Sequence, residues 1–191
     1  YPFAPLGNAG AWEDRWEQWQ HFYAQAFYLS KNFDVHRFQM YNEPNHGSPA
    51  DVTPAQFLER LQFASDAVQA AVADVNALYG KSLDPQMHAP VTAGGTSTYP
   101  AWGAPVMQNL HTDFLGQGEI KLIDTYAYQQ YGLDGPGFAS QLNGMKNLVN
   151  AAAGGEPIRL AITEFSTLTA ANFDATSETL DSPAQFSRMG S

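Results

Sequence analysis

Hydrophobic residues recur along the chain at two periods, and the switches between them mark the elements. Trp12, Trp16, Trp19, Tyr23 and Phe27 fall on one helical stripe. That spacing predicts an amphipathic helix over about residues 11–31, with the stripe toward the core. Val35 to Tyr41 then reads as a short strand ending at Asn42-Glu43-Pro44. Thr53-Pro54 opens a long helix, with Gln56 placed to close a capping box. Its stripe runs Phe57, Leu61, Ala64, Val68, Ala71, Val75 and Leu78, and Gly80 ends it. His88 to Gly94 is a weaker strand whose start is blurred by Pro90. Residues 100–115 hold a less regular helix, and Ile120 to Tyr128 is a strand of strong β formers. Phe138 to Ala153 is a helix stopped by Gly154-Gly155, and Ile158 to Thr163 is a buried-type strand followed by Glu164. Residues 167–181 are a polar loop, and Ser182-Pro183 opens a further helix.

Strands alternating with helices imply an α/β fold with a parallel sheet. Gly94-Gly95 is followed by Thr96-Ser97, which is neither a dinucleotide nor a P-loop fingerprint. Spacing adds a bound. Ile158 lies 123 residues beyond Val35, which is three repeats of 41 residues. Eight such units need roughly 330 residues, within the range of a (β/α)8 barrel. The chain is therefore expected to be a partial (β/α)8 TIM barrel with parallel strands. Residues 1–191 would be one central-to-C-terminal portion, truncated at both ends. The start on Tyr1 rather than Met, and the helix barely begun at Ser191, fit that expectation.

Composition narrows the class. Hydrophobic residues make up 44% and aromatic ones 13%, enough for a real core. No apolar run approaches the roughly 20 residues of a membrane helix. With no cysteine, disulfide scaffolds, thiol catalysis and Cys-ligated zinc are excluded. Nine basic residues against 19 acidic ones, a net charge of −10, argue against nucleic acid and fit a neutral partner such as sugar.

Glu43 and Glu164 each follow a predicted strand. In parallel α/β architecture those strand ends share one rim, where sites are built. A retaining glycosidase needs two carboxyl groups about 5–5.5 Å apart, one to attack carbon and one to give and then take a proton. Esterifying the first removes its charge, which lets the second change from acid to base. A lone glutamate after a strand is otherwise a solvated loop residue or a helix-capping partner.

Phe38-Gln39-Met40-Tyr41-Asn42-Glu43-Pro44-Asn45 resembles the fourth-strand Asn-Glu-Pro motif of clan A glycoside hydrolases. Ile162-Thr163-Glu164-Phe165 is similar to the seventh-strand nucleophile motif of that clan. The local flavour is closest to glycoside hydrolase family 39 and its relatives, including the Trp-rich helix before the fourth strand. The resemblance covers nearly the whole chain, as strands four to seven. It implies a retaining glycoside hydrolase acting on a poly- or oligosaccharide, with Glu43 as acid/base and Glu164 as nucleophile. Asn42 would hold the sugar 2-hydroxyl. The clan's sixth strand usually ends in His-x-Tyr, whose Tyr supports the nucleophile. Here Tyr131 matches the Tyr, and Gln129 stands where His is common. No metal or cofactor is implied, and the setting would be extracellular or cell-envelope. The competing reading is a non-catalytic carbohydrate-binding or structural barrel relative. Transglycosylation by the same two glutamates is a third. The sugar, the linkage and the oligomeric state stay open.

Other residues carry two readings each. Trp102, beyond the Gly94-Gly95 turn, is a sugar-stacking residue or a cap on a neighbouring helix. Tyr126 and Tyr128 share a strand face, and one of them lines the site or both pack in the core. His46 binds a sugar hydroxyl, tunes Glu43 or orders its loop. Arg37 shares a strand face with Glu43. It either orients Glu164 or pairs locally inside the barrel. The five histidines show no metal-ligand spacing such as H-E-x-x-H.

Overall fold

The structure, a computed structural model, describes residues 15–46, 52–133 and 135–166. Trp12, the loop 167–181 and the helix opening at Ser182 lie outside the described residues. In chain order the main elements are α1 (Arg15–Phe33), β1 (Arg37–Gln39), α2 (Pro54–Tyr79) and β2 (Gln86–Ala93). A π-helical turn at Tyr99–Gly103 and α3 (Ala104–Gln108) follow. Then come β3 (His111–Thr112), β4 (Ile120–Lys121), β5 (Thr125–Tyr131), α4 (Gly135–Ala152) and β6 (Arg159–Ser166). Four strands form one sheet in the order β1-β2-β5-β6, every pair parallel. Sequential strands joined through helices make this a curled half of a (β/α)8 barrel, as the alternation predicts.

Side-chain alternation sorts the sheet into two faces. Phe38, Met40, Met87, Ala89, Tyr126 and Tyr128 are all buried in the core against the helix layer. The opposite wall is polar at its lower end. Arg37 is in register with Gln86, and Gln39 with His88. His88 in turn is level with Thr125, and Thr125 with Arg159. Arg159 Nη1 donates to Gln86 Oε1 at 3.1 Å.

Helix α2 forms as its sequence dictates. Thr53 caps it, with the Gln56 N–H donating to Thr53 Oγ1 at 3.2 Å and the Thr53 N–H to Gln56 Oε1 at 2.9 Å. Gly80 ends it at φ 64°, a left-handed conformation costly for a residue with a Cβ.

Helix α1 departs from its predicted face. Its most buried residues are Gln18, Phe22, Ala26 and Ser30, while Trp16 is 60% exposed. Trp19, Tyr23 and Phe27 stack along α2, with successive centroids 5.1 and 5.9 Å apart. The Trp19 indole N–H donates to Asp66 at 2.5 Å, and the Tyr23 hydroxyl to Asp74 at 2.6 Å. Polar tips let these rings sit half-buried between helices, leaving the deepest positions to smaller or purely apolar side chains.

Three strand boundaries also differ. The predicted strand 120–128 is two elements. Ile120–Lys121 pairs antiparallel with His111–Thr112, and the sheet strand begins only at Thr125. Pro90 lies inside β2, where the register shifts between Pro90 and Thr92. That bulge takes Val91 out of the ladder and accommodates a residue lacking an N–H. Glu164 lies within β6, not after it. Among the described residues, no helix is long and apolar enough to cross a membrane.

Candidate active site

The Asn42-Glu43 turn, just past β1, is held from three sides. The Tyr41 ring is buried, 6.2 Å from the Phe57 ring, and Arg60 Nη1 donates to its hydroxyl at 2.9 Å. Burial raises the Tyr41 pKa, and the Arg60 charge opposes that shift. The Glu43 N–H donates to Val91 O at 3.0 Å. Asn45 clamps the far end, its Nδ2 donating to Ala93 O and its Oδ1 accepting from the Ala93 N–H, both at 2.9 Å.

Three residues at this junction have positive φ: Tyr41 (62°), Glu43 (48°) and Val91 (56°). A β-branched residue is a genuine outlier in that region. Strained backbone persists only where surrounding contacts over-determine it, and it clusters at functional sites. Asn45 is a residue whose role the motif alone does not reveal. Replacing it with alanine leaves the Ala93 N–H and carbonyl without their partner. The Asn45→Ala variant is expected to lose about 1–3 kcal/mol of stability, read by urea unfolding. An unchanged midpoint would show that the clamp contributes nothing.

Three strand positions from β1, a second bulge aims Glu164. Tyr128 is in register with Ile162 and Gln129 with Glu164, so Thr163 is skipped. The extra residue turns the Glu164 side chain onto the face of Gln129 and Tyr131. The Tyr131 hydroxyl donates to Glu164 Oε2. Burial, that hydrogen bond, and the nearby Glu164 and Glu43 carboxylates all raise the Tyr131 pKa. The charges of both glutamates therefore converge on one phenol. Gln129 is fully buried, and its Nε2 donates to Asn42 Oδ1 at 2.7 Å. Asn42, Glu43, Gln129, Tyr131 and Glu164 thus form one cluster at the C-terminal ends of β1, β5 and β6.

The remaining predicted residues lie around or away from this cluster. His46 is exposed on the short 3-10 turn Pro44–His46, its N–H donating to Glu43 O at 3.0 Å. Trp102 is half-buried, edge-on to Phe57 with centroids 5.8 Å apart. Arg37 opens β1 at the other end of the sheet, where burial and then the Arg37 charge lower the pKa of His88. It is not brought to Glu164, because β1 runs from Arg37 toward the rim. Tyr126 and Tyr128 both face the helices, fully buried, and burial pushes Tyr128 up to about 12. Gly103 lets the Tyr126 hydroxyl approach so closely that any Cβ there would collide with it. Among the described residues, no group of three or more His, Cys, Asp or Glu could hold a metal ion.

This architecture is shared with solved glycoside hydrolase structures. A glucosidase from Croceicoccus marinus aligns with a TM-score of 0.61 and 15% identity, over 84% of this chain and 32% of that one. A GH128 (subgroup I) endo-β-1,3-glucanase from Amycolatopsis mediterranei, in complex with laminaritriose, aligns with a TM-score of 0.50 and 20% identity. That alignment covers 87% of this chain and 58% of the glucanase. The chain therefore spans about a third of one neighbour and less than two thirds of the other. At such identities the likeness is one of fold. No protein-family model matches the sequence, and no curated protein does.

Proposed function

We propose that this chain carries the fourth to seventh strands of a retaining glycoside hydrolase barrel, and with them both catalytic carboxylates. The observation that carries this reading is the meeting of Glu43 and Glu164 at Tyr131. Two glutamates from well-separated strands stand at one rim, where barrel enzymes do their chemistry: Glu164 accepts from the Tyr131 hydroxyl, and Glu43 is near enough for its charge to raise that phenol's pKa. Glu164 attacks the anomeric carbon while Glu43 protonates the departing glycosidic oxygen. Glu43, now ionised, takes a proton from water, which displaces Glu164 and releases the sugar with its configuration retained. Tyr131 holds one oxygen of Glu164 and leaves the other to attack. The two fold neighbours are a glucosidase and a β-1,3-glucanase, which supports a glucan as the first substrate to try. An extracellular or cell-envelope setting goes with a polysaccharide substrate.

The test is a polysaccharide panel digested with the full-length protein. Reducing sugar is expected, and proton NMR of the first product is expected to show the starting anomer. The opposite anomer would indicate an inverting enzyme, and binding without release would favour a non-catalytic relative.

A further inference from the structure

One hydrogen bond joins two left-handed residues of different strands. The Glu43 N–H donates to Val91 O at 3.0 Å, and the two stand at φ 48° and 56°. That conformation is uncommon for a glutamate and an outlier for a valine. Each keeps it only while surrounding contacts enforce it. The ladder shows what those contacts are. β1 leaves the sheet early, Gln39 with His88 being its last pair with β2. Above that level, the β1 side of β2 would present backbone groups with no strand beside them. The turn at residues 42–45 takes that place. Its Glu43 N–H meets the Val91 carbonyl, and the Asn45 amide meets both polar groups of Ala93. On the other side of β2, Pro90 is level with Ala127 and Thr92 with Tyr128, so β5 does not pair Val91. The Val91 side chain is fully buried, which fixes the bulge from within. The β6 bulge stands one residue higher, between the partners of Tyr128 and Gln129. β5 therefore runs between two bulges, one behind each glutamate.

We infer that Val91 is a positioning residue whose left-handed bulge aims the carbonyl that holds Glu43, and with it the carboxylate that serves as acid and base. Released from Val91, Glu43 would relax toward negative φ, which swings its Cβ and moves the carboxylate relative to Glu164. The catalytic consequence rests on the glycosidase reading above; the hold of Val91 on the Glu43 backbone does not.

Measurements on the full-length protein separate these layers. The Glu43 amide, followed by 15N NMR, is expected to exchange with water about 100-fold more slowly than an unstructured amide. Exchange at the unstructured rate overturns the hold. Two substitutions then grade it. Proline fixes φ near about −65° and is barred from the Val91 conformation. Glycine takes either sign of φ and has no side chain to fix the bulge. The readout is the ratio of kcat/KM for benzyl β-glucoside, whose alcohol needs a proton to leave, to that for 2,4-dinitrophenyl β-glucoside, whose phenolate does not. Val91→Pro should lower this ratio by about tenfold or more and Val91→Gly by about threefold, with faster Glu43 amide exchange in both. If Val91→Pro does not fold, Val91→Gly decides alone. In a Glu43→Ala background there is no acid to misplace, so the same substitutions should leave the ratio within about twofold. A merely structural role lowers both rates together, or moves the ratio equally with and without Glu43, and either result overturns the proposal. If the natural protein hydrolyses neither glycoside, the catalytic role falls with the β-glucoside reading. The amide exchange then decides by itself whether Val91 holds Glu43.

Discussion

Glu164→Gln in the full-length protein is expected to lower kcat on the best polysaccharide by about 10^4-fold or more. The substitution preserves shape, and the Tyr131 hydroxyl can still donate to the amide oxygen in place of the carboxylate. Glu164 is exposed, so the fold should be indifferent to the change. What disappears is the ability to form the glycosyl ester. At about 1.4 kcal/mol per tenfold, such a loss means that the carboxylate supplies roughly 5.5 kcal/mol of barrel-built catalysis. Substrate affinity should survive, because the lost interaction is made only as the bond to carbon forms. A variant that keeps the natural rate would remove Glu164 from the mechanism altogether.

Much of this site was legible in the sequence, and the illegible part has a physical pattern. Period and capping placed α2 from Thr53 to Gly80, because both ends of that helix are closed by residues a few positions away. Alternation gave the parallel sheet, and Glu43 lies just past its strand as expected, whereas Glu164 lies inside β6. Both bulges escaped notice. Val91 and Thr163 look like ordinary strand residues, and only the neighbouring strands reveal that each is skipped in the ladder. Yet the Thr163 bulge is what turns Glu164 toward Tyr131. Asn45 and Arg60 were likewise silent. Their partners, Ala93 and Tyr41, lie 48 and 19 residues away, beyond any local pattern. The same holds for the face of α1. A stripe of aromatic residues signals burial, but Trp19 and Tyr23 have partners for their polar tips on α2, so they settle at the helix interface. Arg37 shows the limit of counting alternation alone. Alternation assigns a side to the sheet and says nothing of height along the barrel axis, and height separates Arg37 from the carboxylates.

Glu43→Ala is expected to produce a different and diagnostic defect. An acid catalyst matters in proportion to how poorly the leaving group departs unaided. For a glycoside with an unactivated alcohol as leaving group, kcat/KM should fall by about 10^2- to 10^4-fold. For a 2,4-dinitrophenyl glycoside, whose phenolate leaves without a proton, kcat/KM should change little. Its kcat should still drop, because the second step has lost the base that activates water, and a burst of dinitrophenolate should precede the slow steady state. Azide needs no base. Added to Glu43→Ala, it should attack the glycosyl ester of Glu164 and yield a glycosyl azide of retained configuration. In Glu164→Ala no ester forms, so azide would occupy the vacated side and yield the inverted product. The two azide products assign the roles independently of any rate. Equal losses for both leaving groups, or inverted azide from Glu43→Ala, would exclude Glu43 as the acid/base. The Asn45 clamp on Ala93 and the Glu43 N–H bond to Val91 explain why the defect should be this clean. The turn is held by its neighbours' backbone contacts rather than by the Glu43 carboxylate, so removing that side chain should take away the proton transfer and leave the rim in place.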